Sequence, residues 1–199
     1  MKNESILLSL IIFVPWAGAA LLAFLRGLNA SIARLVALVF ALAPLALGLV
    51  ALGSFDPTRT APQFVEDHVW MARVLNVHYH LGLDGLSLLL VLLTGIVTPA
   101  ALLASWRLDH CPRMFGALFL LLEGAALGVF LALDFFHWFV FWELSLVPAF
   151  FLIKFWGGAS GRGDATATRA AYQFVIYTIG GSAFMLVGFA AIFVTTGTL

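Results

Sequence analysis

The sequence predicts an all-α polytopic membrane protein of about six transmembrane helices. Three observations carry this. Of 199 residues, 63% are hydrophobic and only 10% are charged, where a soluble domain carries about 25% charged residues. The charges cluster between long apolar runs. Six of those runs reach the roughly 20 mostly apolar residues that a helix needs to cross a hydrocarbon core. Backbone groups in lipid must be satisfied internally, and the alternating pattern of a membrane barrel is absent, so the runs are helices.

The expected spans are Ile6–Leu25, Ile32–Leu52, Leu86–Ser105, Met114–Leu133, Phe135–Phe155 and Tyr172–Thr195. They form one membrane domain over residues 1–199. The first has the apolar character of a signal peptide, and Ala17-Gly18-Ala19 has the small residues of a cleavage site. The run continues to Leu25, however, and reads as a retained helix. After helices 1, 3 and 5 the flanking basic residues are Arg26, Arg34, Arg107, Arg113, Lys154, Arg162 and Arg169. The other side has only Lys2, Arg59 and Arg73, together with Glu4, Asp56, Glu66, Asp67, Asp84 and Asp134. The positive-inside rule puts the basic side in the cytoplasm and both termini outside.

The longest loop runs from Gly53 to about Gly85, on the outer side. It opens with the turn-formers Asp56-Pro57-Thr58. Further on, Val77, Tyr79 and Leu81 alternate with His78, His80 and Gly82, the period of a strand. The expectation is half of a short outer β-hairpin between helices 2 and 3. The inner loop Gly157–Asp164 is glycine-rich and reads as a flexible turn. Trp106, Trp138 and Trp156 fall at helix ends, as an aromatic belt predicts.

Glu143 is the most informative residue. It lies inside the fifth apolar run, in Phe141-Trp142-Glu143-Leu144-Ser145. A charge there costs at least about 2.5–3.5 kcal/mol, so such a group faces protein or a water-filled cavity and marks an ion or proton path by default. Glu123 lies in the preceding run. Helices 4 and 5 are joined by almost nothing but Asp134, so they are antiparallel neighbours. Glu123 precedes Asp134 by 11 residues and Glu143 follows it by 9. Both acids therefore sit about 14–16 Å below the outer surface, and the pair is expected to face one another or share a hydrated pocket. If coupled, it would titrate as a unit. The alternative for each is a permanently protonated side chain that hydrogen-bonds a neighbouring helix.

Around these acids the reading is graded. Pro148 frees the carbonyl of Leu144, so a kink or water entry is expected next to Glu143; an ordinary membrane proline is the alternative. Gly124, Ala125, Ala126 and Gly128, and in helix 6 Gly180, Gly181, Ser182 and Ala183, are read as close-packing surfaces. Lys154, at the inner end of helix 5, is either a relay member or a snorkelling anchor. His137, at the outer end, is either part of an exit path or a headgroup-level histidine. His78 and His80 could share a strand face, but no third ligand is evident and no metal is expected. Formal net charge is zero, which gives no hint of nucleic acid. Cys111 is the only cysteine, so there is no intrachain disulfide or cysteine-based metal cluster. No phosphate loop, dinucleotide fingerprint or Ser-His-Asp arrangement is visible.

Several stretches resemble a known family. Tyr79-His80-Leu81-Gly82-Leu83-Asp84-Gly85-Leu86-Ser87 resembles the start of helix 3 in the M subunit, or chain 4, of the NADH–quinone oxidoreductase (complex I). Glu123-Gly124-Ala125-Ala126-Leu127-Gly128-Val129-Phe130-Leu131-Ala132-Leu133-Asp134 looks like its fourth helix. Phe141 to Pro148 with Phe151-Leu152-Ile153 looks like its fifth, and Phe174 to Thr178 with Gly181 to Leu186 like its sixth. The resemblance implies the N-terminal part of an antiporter-like, proton-translocating subunit in the cell inner (plasma) membrane. Glu143 would be its central proton carrier and Glu123 an auxiliary site. It also implies that NAD, flavin, iron–sulfur clusters and quinone belong to partner subunits, with no cofactor in this chain. The implied partners are other complex I membrane subunits and the lipid bilayer. Two departures stand out. The family's subunit has many more helices, and the buried lysine that partners its key glutamate lies beyond Leu199. The chain is thus read as a fragment, a degraded copy, or a piece of a split subunit completed by a second chain. Gln173 also stands where a lysine is usual. The rival readings are a multisubunit cation/proton antiporter or membrane-bound hydrogenase subunit, and a non-catalytic truncated scaffold.

Overall fold

The computed structural model describes residues 6–25, 27–71, 77–158 and 162–196. The elements run α1 (Leu7–Phe24), α2 (Ala30–Ser54), β1 (Gln63–Met71), β2 (Val77–Leu83), α3 (Gly85–Ala104), α4 (Pro112–Leu131), α5 (Phe135–Trp156) and α6 (Ala165–Thr196). All six helices are long and apolar enough to cross a membrane, and the chain is a multi-pass membrane protein. Lys2, Glu4, Arg26 and Arg73, used above to count flanking charges, lie outside the described residues, as do residues 159–161 of the inner loop.

The helix ends fall within two residues of the hydropathy-based spans except at the start of α6, and two of the differences have a clear local reason. α4 stops at Leu131 because the next residues turn to the sheet. The Leu133 N–H donates to the His80 carbonyl at 2.9 Å, and Ala132 bridges to Leu81. α6 begins seven residues earlier than expected. Asp164 accepts from the Ala167 N–H at 2.7 Å and so caps the helix, and the alanine-rich turn that follows favours helix.

α4 lies at the centre. Its most apolar window is 61% buried, against 6% for α6. It packs on α1, α2, α3 and α5, while α6 runs along α5. Small residues set the close approaches. A Cβ on Gly124 would collide with the Trp16 indole and the Ile12 carbonyl of α1, and one on Gly95 would lie 2.9 Å from Leu45 Cα of α2. Without a hydrophobic force between helices in lipid, this backbone approach carries the packing. A Cβ added to Gly180 or Gly181 of α6 would meet nothing within 4 Å, so no close approach is made at those two positions among the described residues, while the adjacent Ser182 is buried.

One end of the bundle is organised by the hairpin. β1 pairs antiparallel with β2, Glu66 opposite Leu81 and His68 opposite Tyr79. Opposed residues share a face, and this face turns inward: Glu66 is 2% exposed and Leu81 fully buried. The expected strand is present, with its apolar side down, and β1 supplies the other half. Helix caps cluster beside it. Asp84 caps α3 in a capping box, its carboxylate accepting from the Ser87 N–H at 2.7 Å while the Ser87 hydroxyl accepts from the Asp84 N–H at 2.8 Å. Asp134 caps α5, accepting from the Phe136 N–H at 2.8 Å. At the opposite end Arg34 pairs with Asp109 at 2.9 Å. There too Arg113 donates to the Leu25 carbonyl and the Trp156 indole to the His110 carbonyl, both at 2.9 Å.

The two ends therefore differ in charge, and the positive-inside rule can be tested on them. In a Cys111→Ser background, Arg59→Cys is expected to react with an impermeant maleimide from outside intact cells, and Arg162→Cys only after lysis. The reverse labelling would invert the orientation.

The Asp84 cap gives a second expectation. The Ser87 backbone N–H holds the Asp84 carboxyl below its ordinary value of 3.8. A lowered folded value contributes stability above the unfolded value, which is lost as pH falls through the folded one. Asp84→Ala is expected to cost about 1 kcal/mol near neutral pH. The gap from wild type should close as detergent-solubilised protein is unfolded at progressively lower pH, below about 4.

Candidate functional site

Glu143 projects from α5 into a groove shared with α6. The groove has a volume of about 290 Å³ and is lined by Glu143, Leu146, Val147, Phe150, Tyr172, Val175 and Ile179. The carboxyl is half-buried, and its Oε1 is buried without a hydrogen-bond partner among the described residues. All the other lining residues but Tyr172 are apolar.

Glu123 occupies a different setting. It is 2% exposed, the α3 residue Thr98 lies beside it, and neither carboxyl oxygen has a hydrogen-bond partner among the described residues. The two acids therefore share a depth but not a pocket. Glu123 looks toward α3 inside the bundle, Glu143 toward α6, and no hydrogen bond joins them. The expected face-to-face pair fails because helix rotation, unlike depth, depends on which neighbours each helix acquires.

The remaining sequence candidates separate along α5. Lys154 is half-buried, its Nζ 5.6 Å from each of the ring centroids of Phe150, Phe155 and Tyr172. Along the helix it is 11 residues, about 16 Å, from Glu143. His137 is 4% exposed, beneath the hairpin, with its ring edge-on to Tyr79 at 5.4 Å. It is thus enclosed by protein at the end of the bundle. Pro148 is buried inside α5, which continues unbroken from Phe135 to Trp156. Proline also lies inside α1, α2 and α3, at Pro15, Pro44 and Pro99. His78 and His80 do not converge on a site. His78 Nδ1 pairs with Asp67 at 2.8 Å, while the His80 backbone holds Leu133. No group of three metal-ligating side chains occurs among the described residues.

Sequence reasoning missed a buried polar cluster at the hairpin end. Glu66, from β1, accepts from the Leu8 N–H at 2.8 Å, the Ser9 N–H at 3.1 Å and the Ser9 hydroxyl. The Tyr79 hydroxyl lies 2.9 Å from Ser9 Oγ and donates to it, since the Ser9 proton is given to Glu66. Burial, reinforced by the Glu66 charge, holds the Tyr79 phenol above its ordinary 10.0. α1 has no cap of its own at Ile6, so the hairpin supplies one from 57 residues away in sequence. The sequence signal was faint: an acid on the inward face of a strand that itself went unrecognised.

Six spanning helices, with one buried and one half-buried carboxyl group on two neighbours, define a polytopic membrane subunit, and comparison with known proteins makes this specific. Residues 132–199 match the family model described as NADH:quinone oxidoreductase/Mrp antiporter, TM. The chain is 37% identical over 196 residues to NADH-quinone oxidoreductase subunit M of Rhodobacter capsulatus, covering 96% of this chain and 36% of that one. It is 39% identical over 188 residues to F(420)H(2) dehydrogenase subunit M of Methanosarcina mazei, covering 94% and 36%. Among solved structures, respiratory complex I from Thermus thermophilus aligns with a TM-score of 0.74 at 30% identity, over 96% of this chain and 36% of that chain. The Mrp complex of a Dietzia species aligns at 0.75 and 26% identity, over 96% and 20%. The chain belongs to the NADH:quinone oxidoreductase/Mrp antiporter family of membrane subunits. Within it, the relatives matched over nearly the whole chain include proteins named subunit M or chain 4, and the chain spans about a third of their length.

The Glu66 clamp is open to measurement. Glu66→Ala leaves the Leu8 and Ser9 N–H groups without their acceptor, at an expected cost of about 1–3 kcal/mol. Tyr79→Phe removes only the outer hydrogen bond and should cost about 1 kcal/mol or less. Unfolding of the two variants in detergent, compared with wild type, checks the order.

Proposed function

We propose that this chain is a proton-translocating membrane subunit of a quinone-reducing complex of the NADH–quinone oxidoreductase type. Glu143 carries the proton, and Glu123 is an auxiliary protonatable site. The single observation behind this is the Glu143 carboxyl itself. It sits at mid-depth in a groove between α5 and α6 with a buried oxygen left without a protein partner. A buried acid with nothing to neutralise it is costly as a charge, and taking up and giving back a proton relieves that cost. The family membership supports the assignment. In this reading the six helices are one membrane domain of a longer antiporter-like subunit, in the cell inner membrane and among other membrane subunits. NAD, flavin, iron–sulfur clusters and quinone belong to the partner chains. The protein contributes to catalysis as a translocase subunit, its own part being proton transfer. Pro148, which leaves the Leu144 carbonyl without its helical donor next to Glu143, is the point where α5 can accept water.

The test uses the assembled complex in inverted membrane vesicles. Glu143→Gln keeps the side chain's shape and removes its titratable group. It is expected to abolish most proton pumping while the complex still assembles. Full pumping by that variant would reduce Glu143 to a structural hydrogen-bonding group.

The separate environments of the two acids give a further expectation. Glu143→Asp and Glu123→Gln should each lower pumping partially, and their effects should multiply in the double variant, as for sites without shared partners. A double variant no slower than the worse single one would show instead that the acids act as one unit.

The likeness to the Mrp complex keeps one second reading, a multisubunit cation/proton antiporter. Pumping driven by quinone reduction supports the first reading. Sodium-linked exchange independent of any reductant would support the second.

A further inference from the structure

A second cavity, of about 310 Å³, opens where α4 turns into α5 and the later part of α6 comes alongside. It shares no lining residue with the Glu143 groove. Phe135, Trp138, Met185 and Phe189 give it apolar walls. The Phe135 and Phe189 rings stack at 5.0 Å, and Trp138 stands edge-on to Phe189 at 6.3 Å. Two of the lining side chains carry polar atoms. Asp134 is buried and uses Oδ1 to cap α5, while its Oδ2 accepts no hydrogen bond among the described residues. The Trp138 indole N–H has no acceptor among them either, unlike those of Trp16 and Trp156, which donate to carbonyls. No lysine or arginine lines the cavity. Other acids of this end are engaged elsewhere: Glu66 on α1, Asp84 on α3, Asp56 with Arg59 and Asp67 with His78.

We propose that this cavity binds the headgroup of a membrane phospholipid carrying a primary ammonium, of the phosphatidylethanolamine class. It lies at the turn between two spanning helices, the depth at which headgroups meet a membrane protein and tryptophans gather. A carboxylate walled by apolar rings is costly without a counter-charge. Asp134 Oδ2 offers lone pairs only, so it favours a cation that can donate an N–H. A primary ammonium has three such donors and a quaternary choline has none. In the same headgroup a short linker joins the ammonium to a phosphate, and the indole N–H of Trp138, a donor only, suits that phosphate. A purely anionic headgroup would meet the Asp134 charge with nothing basic beside it. The volume of about 310 Å³ is at the small end of ligand pockets, roughly 300–1,000 Å³. That is room for a headgroup, with the acyl chains continuing past Met185 and Phe189 into the bilayer.

The experiment places a photo-crosslinker on the cavity wall, Phe135→p-benzoylphenylalanine, at an exposed aromatic position. The assembled complex carrying it is delipidated and reconstituted in vesicles of equal parts dioleoylphosphatidylethanolamine and dioleoylphosphatidylcholine. After irradiation, the adducts on this peptide are identified by mass spectrometry. Phosphatidylethanolamine should be captured over phosphatidylcholine by about tenfold or more, the scale of one hydrogen bond between charged groups. Equal capture of the two lipids, or adducts to a neighbouring protein in place of lipid, overturns the proposal. Asp134→Asn in the same background removes the charge and keeps a good helix cap. It should bring the two lipids to equal capture, and a preference that survives it overturns the role of Asp134. Trp138→Phe keeps the ring and removes the N–H. It should lower capture of both lipids by about tenfold and leave the preference intact, whereas unchanged capture overturns the phosphate contact. If Asp134→Asn does not assemble, the headgroup comparison and Trp138→Phe still decide the matter.

Discussion

A bilayer interior offers no hydrogen-bond partners, and this structure follows from that one constraint. It makes every span a helix, because only a helix satisfies its backbone within a single segment. It also makes helix ends expensive, since the first turn of each helix has N–H groups with no intrahelical acceptor. Asp84, Asp134 and Asp164 meet that need locally for α3, α5 and α6. α1 has no such residue, and Glu66 reaches it from the hairpin. The hairpin is thereby part of the bundle rather than an appendage. Its carbonyl at His80 ends α4, and its Tyr79 covers His137 at the start of α5.

The same constraint explains why the two glutamates matter and why they differ. An acid in hydrocarbon must be enclosed, paired or able to exchange its proton. Glu123 is enclosed, on the helix that the others surround. Glu143 lies on the outer flank of that bundle, where α5 meets a helix that is mostly unburied. Depth is common to both because α4 and α5 turn at Asp134 with almost no loop. Direction is not common. Such a layout gives the chain two separate protonatable positions rather than one shared pair.

How much of this was legible varied with the physics involved. The spans were, since hydropathy over about 20 residues is a property of local composition. So was the strand at Val77–Leu83, from its alternation. The start of α6 was misplaced because hydropathy marks where a helix enters lipid, not where its hydrogen bonds begin, and Asp164 starts it in the polar loop. The close-packing role of Gly124 was readable, but the same reading met no close approach at Gly180 and Gly181 among the described residues. Small residues show only that a helix can be approached, never that one is there. Thr98 beside Glu123 and Tyr172 beside Glu143 were invisible, being long-range neighbours without a local pattern.

By itself, the sequence determined the class of protein, the number and order of spans, and the depth of Glu123 and Glu143. These depend on residue chemistry and a fixed rise along each helix. Only the tertiary structure decided the rotation of those helices, the inward turn of Glu66 onto α1 and the aromatic cage around Lys154. Each of these depends on which surfaces meet across tens of residues, and that is settled by packing between helices rather than by any single segment.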